Sequence, residues 1–482
     1  DRRDQDRPTT RDRVPAESRT QIVAREPEGA VRRMPRVGFI VGRVLLVVSL
    51  TVSLSTVQQA RATDREPMTT LPVQEIHLSL RAAMAAAAQQ NPSVLLSKER
   101  IEAAKGEVTT QLGAMLPNLS ANVRQSQQTQ FLGTFGLAPV RTEPFSIFDA
   151  RVSASQNLFS LSLIQRWRAS REALQVAEFD AQSSRFDTMA STGLAYLEGV
   201  KAATALAMRQ ANQQLIRELL ATAKVRQHEG AATGLEVARL EGQLANEQQQ
   251  VVAAQADLER AKNSLGNLLG LTFEVRMTLT DPLQPQVPEA AAAQAAWEQA
   301  VTNRAEVQAQ AKRIRSAELS YSSVTGERLP SLVAQGDTGL IGNRWNNSLD
   351  TYNMALLLQI PLFDGGQREG RISTARSQVR QEAFRMQVVL NQVRAEVNEA
   401  RIALAAARDK AALAQAGLQA ATKETALARE RYAVLTAASQ FDVITAITSM
   451  ARARENLVGA LFELNAARVN YARATGTLES LS

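Results

Sequence analysis

Few residues of this chain could carry out chemistry on a substrate. The sequence contains no Cys and only two His, His77 and His228. Without Cys there can be no disulfide, no thiolate metal site, no cysteine nucleophile and no lipid-modified N-terminal Cys. Two His are too few for a histidine-rich metal site. Both are interpreted as structural or simply exposed residues.

Two further patterns resemble functional motifs but do not complete them. Gly365-Gly366 lacks the Lys-Ser/Thr sequel that a phosphate-binding loop requires. Glu396 and Glu399 lie among Arg residues such as Arg401, and these charges are interpreted as a solvated helix surface. The sequence therefore predicts a protein that is not an enzyme, with no catalytic residue, no metal site and no cofactor.

The composition favours long helices over a conventional globular core. Apolar residues make up 45% of the 482 residues, whereas aromatic residues make up only 4%. Much of the apolar content is Ala, which suits helices packed closely side by side. The formal net charge is +7, but most of the excess lies in residues 1–62. We therefore expect no nucleic-acid partner.

Residues 1–62 have the features of a leader with a secretory signal. Three basic residues, Arg32, Arg33 and Arg36, precede an apolar stretch, 44–54, and an A-x-A cleavage motif at 60–62. The alternative is a transmembrane anchor, but the apolar run is shorter than the roughly 20 residues that a span needs. We expect cleavage after Ala62 and export from the cytoplasm, with Met34 as a possible true start.

The rest of the chain has the pattern of an internal duplication. MLPNLSANV (115–123) resembles RLPSLVAQG (328–336), and NLFS (157–160) resembles PLFD (361–364). The segment 234–271 aligns without gaps on 440–477. We interpret 63–271 as the first repeat, 272–300 as a Pro-rich linker and 301–482 as the second repeat. Each repeat reads as helix, strand, strand, long helix, turn and helix.

The long helices carry a heptad pattern. Apolar residues step by alternating threes and fours from Met386 to Ala421, which predicts a packed seam over about five heptads. The helix 160–228 would be roughly 100 Å long, and the returning helix, 234–270, is too short to cover it. We therefore expect the short helices 92–116 and 234–270 to stack end to end beside it. The second repeat predicts the same arrangement.

Four segments alternate like strands, at 119–129, 148–158, 332–341 and 351–362. Segments of about ten residues with this alternation match the strands of membrane barrels, although a soluble hairpin with one packed face is the alternative. Four strands are too few to close a barrel, since about eight are needed. The segments thus predict either a soluble sheet or an oligomer that shares one barrel, in which three copies would supply twelve strands.

The stretch QIPLFDGGQREGRIS joins the last of these strands to a long helix. Pro361, Gly365 and Gly366 would let the backbone turn from strand to helix without a separate linker. The corresponding join in the first repeat has Phe-Ser and no Gly, so the glycines would assist the turn without being indispensable.

Taken in order, these features resemble the TolC family of outer-membrane efflux and secretion channels, over about 74–477. LSLRAAMAAAAQQNP (78–92) resembles the family's opening helix, and the Leu-Pro and Leu-Phe positions fall in the family's order. The resemblance implies a mainly α fold with a small β part, in which duplicated helical hairpins form a trimeric α-barrel capped by a 12-stranded transmembrane β-barrel. It also implies an equatorial belt, built partly from the linker and the chain ends.

The resemblance also implies partners and sites. The homotrimer would lie in the outer membrane, in contact with its lipid, and work with an inner-membrane pump and a periplasmic adaptor (membrane fusion protein). The adaptor would contact the hairpin tips, which are Glu229, Gly230, Ala231, Ala232 and Thr233 in the first repeat and Leu435, Thr436, Ala437, Ala438 and Ser439 in the second.

Asp442 matches an acidic residue that often lines the periplasmic aperture in this family. Three copies of Asp442 on one axis would form a negative constriction that favours cations. A second acidic ring is not expected, because Thr445 lies where some members have another Asp. The alternative for Asp442 is a simple helix N-terminal residue, stabilised by the helix dipole.

The expected function is a passive conduit for efflux or type I secretion, opened when the pump and adaptor engage the tips. The alternative is a soluble periplasmic coiled-coil adaptor or scaffold. Adaptors have a single hairpin flanked by β-rich domains, whereas this chain predicts two hairpins and four strands.

Overall fold

The computed structural model describes residues 75–136, 138–230, 232–271, 276–285, 289–434 and 440–481. The predicted leader, 1–62, therefore lies outside the described residues. The elements of the first half are β1 (Glu75–Leu78), α1 (Leu80–Gln90), α2 (Pro92–Gly113), β2 (Asn118–Gln128), β3 (Phe145–Phe159), α3 (Leu161–His228), α4 (Gly234–Leu269) and β4 (Arg276–Leu279). Those of the second half are α5 (Ala293–Asn303), α6 (Ala305–Gly326), β5 (Ser331–Arg344), β6 (Asn347–Gln359), α7 (Gln367–Val434) and α8 (Gln440–Thr475).

The helices of the two halves agree in length. α1 and α5 have 11 residues each, and α2 and α6 have 22. The long helices α3 and α7 have 68, and the returning helices α4 and α8 have 36. α5 begins inside the segment assigned to the linker, so the matching elements of the second half start before residue 301. Among the described helices, none is long and apolar enough to cross a membrane.

The short helices stack end to end beside the long ones, as their lengths predicted. Asn91, between α1 and α2, caps α2 by accepting a hydrogen bond from the Ser93 amide at 2.8 Å. Its side-chain Nδ2 donates to the Leu268 carbonyl, in the last turn of α4, at 2.8 Å. In the second half Gly476, which follows α8, adjoins Asn303 and Arg304 at the start of α6. Gly270 and Gly476 both take positive φ values, 69° and 73°, as helix C-terminal residues commonly do.

The predicted seam of α7 is its packed face. Val393 and Val397 are 2% and 3% exposed and pack against Ala296, Ala300 and Ala474 of α5 and α8. Further along, Leu404, Ala407 and Ala411 pack against Ala460, Leu464 and Ala467 of α8. The many Ala residues let the helix axes approach closely, because Ala has the shortest side chain that still fills a seam.

The middle of the molecule contains a small sheet that the sequence did not predict. β1 and β4 pair in parallel, with Glu75 opposite Arg276 and Leu78 opposite Leu279. Tyr196 of α3 is 1% exposed and lies beneath this sheet. Its hydroxyl donates to the Leu78 carbonyl at 2.9 Å and accepts from the Asp281 amide at 3.0 Å. The start of the described chain and the segment between the halves are therefore both held against α3.

A buried ion-pair cluster corrects one reading of the sequence. Arg304 has a side chain only 6% exposed, and it binds Glu306 at 3.0 Å and Glu396 of α7 at 2.5 Å. Glu396 is thus not part of a solvated helix surface, because it is the partner of a buried guanidinium group. Burial by itself would raise the pKa of Glu306, but the hydrogen bond and charge of Arg304 outweigh it and hold that pKa below its ordinary value.

Replacing Arg304 by Gln should lower the free energy of unfolding by about 3 kcal/mol, because two carboxylates lose a buried partner. Since the pKa of Glu306 is lowered in the folded state, its stabilising contribution is complete above the ordinary value of 4.5 and is lost as the pH falls through the lowered value. Unfolding followed by circular dichroism should therefore show a smaller difference between wild type and Arg304→Gln at pH 3 than at pH 7.

Arg313→Gln is the matched control, since Arg313 pairs with Asp180 at 2.6 Å with both side chains partly exposed. It should cost at most about 1 kcal/mol. Equal losses of unfolding free energy in the two variants would contradict the prediction that the buried Arg304 cluster stabilises the fold more than an exposed ion pair does.

Candidate functional site

The first hairpin end closes through a short turn between α3 and α4. The Glu229 amide donates to the Val225 carbonyl at 3.1 Å, and the Gly230 amide donates to Gln227 at 3.1 Å. Gly230 has a φ of 74°, which explains a Gly at this position. Thr233 then caps α4, its Oγ1 accepting from the Glu236 amide at 3.4 Å. Glu229, Gly230 and Thr233 are exposed and Ala232 is half-buried.

Two parts of the predicted tips lie outside the described residues. Ala231 is one, and the other is the whole second tip, Leu435, Thr436, Ala437, Ala438 and Ser439. The adaptor-contacting role of these residues stays a prediction.

Asp442 lies in the first turn of α8 and is exposed. It lines a cleft of about 340 Å³ together with Glu424, Arg431 and Thr445. A basic residue therefore shares the cleft with two acidic ones. The role of Asp442 in a periplasmic aperture stays a prediction. Thr445 lines the same cleft as Asp442. No second acidic ring was predicted at this position, because Thr445 carries no charge.

The helix that carries Asp442 is held by both hairpins. Ile444 packs against Ala223, Val237 and Leu240, which form a small apolar cluster between α3 and α4. Thr425 of α7 donates through Oγ1 to the Ala446 carbonyl at 3.1 Å. The helix that carries Asp442 therefore contacts both hairpins near their ends.

The strand-to-helix joint lies between the end of β6 at Gln359 and the start of α7 at Gln367, and it contains Pro361. Gly365 and Gly366 have φ values of 72° and 83°, in the left-handed region. Asp364 accepts a hydrogen bond from the Arg368 amide at 2.8 Å and so caps α7. Ile360 and Leu362, which the sequence counted with the strand, lie beyond its end.

The corresponding joint before α3 uses a different device. Ser160 is extended, with φ −155°, and its Oγ accepts from the Leu163 amide at 3.4 Å. One joint therefore turns through two left-handed glycines and the other through an extended Ser cap. This difference agrees with the expectation that the glycines are not indispensable to such a joint.

All four long strands form one antiparallel sheet in the order β2-β3-β5-β6. One face is apolar and exposed: Leu119, Tyr352 and Met354 are 74%, 78% and 84% exposed. The opposite face is polar and carries an ion-pair network. Arg151 binds Asp149 at 2.7 Å and Asp337, on the neighbouring strand, at 2.6 Å.

Alternation placed Asp149 and Arg151 on one face, but Asp337 was missed. Its contact with Arg151 depends on the register that pairs Ser153 with Asp337 and Arg151 with Gly339. Gly339 is required by the close approach of the two strands, since a Cβ there would clash with the Ala150 carbonyl oxygen and would lie 2.7 Å from Arg151 Cα. The sequence signal that could have indicated this contact is the opposite charge of Arg151 and Asp337, which lie in two segments that both alternate in polarity.

Comparison with known proteins agrees with this architecture. Residues 296–477 match the family described as outer membrane efflux protein. The pyoverdine export outer membrane protein OpmQ of Pseudomonas putida is 22% identical over 251 residues, which cover 50% of this chain and 52% of that relative. The match thus spans about half the length of the curated relative.

Three solved structures share the fold over most of the chain. A membrane protein from Pseudomonas aeruginosa has a TM-score of 0.72 and 19% identity, covering 82% of this chain and 93% of that one. The Campylobacter jejuni CmeC outer membrane channel has a TM-score of 0.72 and 16% identity, covering 83% and 86%. The outer membrane protein VceC from Vibrio cholerae has a TM-score of 0.69 and 17% identity, covering 82% and 96%.

The chain therefore shares the fold of these three solved structures. Within it, residues 296–477 match the model of the outer membrane efflux protein family. These matches confirm the resemblance to the TolC family that the ordered motifs indicated.

Changing both glycines of the joint to Val should impair folding, because each Val would occupy a left-handed backbone at a cost of at least about 1–2 kcal/mol. Gly370→Val is the matched control, since Gly370 lies on α7 and its Cβ position is also open. The yield of folded protein extracted from membranes should fall for Gly365→Val/Gly366→Val and stay near wild type for the control. A wild-type yield of folded protein from the double variant would contradict the prediction that the two glycines are needed for folding.

Proposed function

We propose that this chain is one protomer of a homotrimeric outer-membrane channel that serves as the passive conduit of a tripartite efflux or type I secretion system. One observation carries the proposal. A four-stranded antiparallel sheet exposes a continuous apolar face, and its outer strands β2 and β6 pair on one side only. An apolar sheet face of this kind is stable against lipid, provided that the edges are paired.

Pairing the edges calls for further copies of the chain. Four strands cannot close a barrel, whereas several copies can do so by joining β6 of one protomer to β2 of the next. Three copies, the number that the resemblance to the TolC family implies, supply twelve strands. A closed ring removes every open edge, and no other arrangement of this sheet does so in hydrocarbon.

The helices support the same ring. Their contacts give the order α2 with α4, then α3, then α6 with α8, then α7. The outermost helices carry exposed apolar side chains away from the packed seams. On α7 these are Phe384, Val388, Ile402, Leu413 and Leu427, and on α2 and α4 they are Leu95, Leu96, Leu235 and Val252. Packing of one set against the other between copies would close an α-barrel of twelve rods beneath the strands.

In this assembly the helical end opposite the sheet faces the periplasmic partners. An adaptor would contact the exposed tip at Glu229, Gly230 and Thr233 and the second tip at 435–439, and an inner-membrane pump would supply the cargo. The relatives are described as an export protein and as outer membrane channels, which fits a conduit whose specificity resides in the pump. A soluble adaptor or scaffold is less favourable, because it would leave the apolar face of the sheet in water.

A pair of adjacent substitutions on β6 tests the membrane assignment. Met354→Arg places a charge on the apolar face and should cost about 2–4 kcal/mol near the middle of the bilayer. Asn353→Arg places the same charge on the polar face, where Asp337 lies opposite. The amount of trimer in the outer-membrane fraction should fall for the first variant and not for the second. Recovery of wild type as a soluble periplasmic monomer would contradict the proposal.

Asp442 is proposed to contribute to the periplasmic constriction, together with Glu424 and Arg431 of the same cleft. In planar bilayers Asp442→Asn should weaken the preference for cations and raise the conductance of a closed channel. Asp257→Asn, on α4 away from the cleft, is the control and should leave both unchanged. Identical conductance and ion preference in wild type and Asp442→Asn would assign Asp442 to helix capping only.

A further inference from the structure

A cleft between α5 and the middle of α7 has features that the channel function does not explain. Its volume is about 470 Å³, within the range of small-molecule sites. Its polar and aromatic side chains are Gln294 and Trp297 of α5 and Asn391, Arg394, Asn398 and Arg401 of α7. The residues that line it include no Asp or Glu.

Two guanidinium groups of this cleft have no carboxylate partner among the described residues. Arg394 lies over the ring of Trp297, 4.5 Å from its centroid. Arg401 donates from Nη2 to Asn398 Oδ1 at 3.3 Å, while its Nε is buried and has no acceptor within the described part of the chain. A buried N–H of a charged group without an acceptor is costly. No carboxylate of the described chain offsets the charge of Arg401 from the buried side.

Two acidic side chains on the same helices, Glu396 and Glu298, already have partners. Glu396 binds buried Arg304 at 2.5 Å and accepts from Gln392 Nε2 at 3.0 Å. Glu298 accepts from Gln294 Nε2 at 2.8 Å. The positive charge of Arg394 and Arg401 is therefore not balanced inside the cleft.

We propose that this cleft binds a small compound that carries a carboxylate or a phosphate group. The planar guanidinium fork is suited to both anions, because it presents parallel N–H donors to two oxygens. Arg401 supplies its terminal Nη groups as donors, and Arg394, held in place by Trp297, supplies the second charge. The amides of Asn391 and Asn398 can accept from or donate to the rest of the compound.

Calorimetric titration of the full chain in detergent, in chloride buffer, tests the site with inorganic phosphate and with benzoate as separate probes. At least one probe should bind saturably, at one site per chain. Arg401→Gln and Arg394→Gln should each weaken binding about tenfold or more, the effect expected when a hydrogen bond to a charged group is lost. Arg380→Gln, an exposed Arg of α7 outside the cleft, should bind as wild type does.

Ala395→Glu provides a second test that keeps both arginines, because Ala395 lines the cleft and its replacement introduces a competing carboxylate. This variant should abolish binding while retaining the helical circular dichroism signal. The proposal is overturned if neither probe binds wild type, or if binding is unchanged in Arg401→Gln and in Ala395→Glu. It is equally overturned if no probe binds and the Arg variants lower the fraction of oligomer, since an acidic side chain of a second copy would then occupy the cleft.

Discussion

β3 and β5 pair antiparallel and therefore run in opposite directions, so the end of β3 lies next to the beginning of β5. α3 begins just after β3 ends, and α6 ends just before β5 begins, so the start of α3 and the end of α6 must lie side by side. Their contact is close: Ser323 Oγ donates to the Ser162 carbonyl at 2.9 Å. This one pairing turns two separate hairpins into a single sheet and sets the order of the helices beneath it.

The helices within a hairpin and the two hairpins are joined by partly different interactions. The α7 to α8 seam is built of Leu and Ala. Between the halves, Met189 and Leu197 of α3 share a buried apolar cluster with Val469 and Ala472 of α8. Ion pairs are added to it, Glu172 with Lys312, Asp187 with Arg473 and Arg209 with Glu455. Because partly exposed ion pairs contribute little to stability and are screened by salt, the apolar contacts hold the two hairpins together.

The features that the sequence predicted well are local and periodic. Alternation of residue types identified all four long strands, the heptad steps from Met386 to Ala421 identified the packed face of α7, and the length mismatch of the helices predicted their stacking. Gly365 and Gly366 were recognised because left-handed backbone selects Gly. Each of these signals lies within one stretch of chain and needs no knowledge of distant partners.

The features that were missed depend on residues far apart in the chain. β1 pairs with β4 about two hundred positions later, and a four-residue strand has too few positions to show a period. Glu396 was interpreted as a surface residue, because the sequence does not show that the distant Arg304 lies beside it. The cleft that Asp442 shares with Glu424 and Arg431 was not predicted, because these two residues belong to the preceding helix. Periodicity describes which face a residue occupies, and it does not say which residue of another element faces it.

The equal lengths of α3 and α7, and of α4 and α8, have a consequence for how such a chain can change in evolution. One inserted heptad lengthens a helix by about 10 Å and would push one hairpin end past the other unless all four helices grew together. The distance from the sheet to the hairpin ends is therefore the same in both halves of the chain, and it can change only if both halves change together. A protein that must reach a partner across a gap of fixed width can tolerate much drift in sequence, but very little in the count of residues between its strands and its tips.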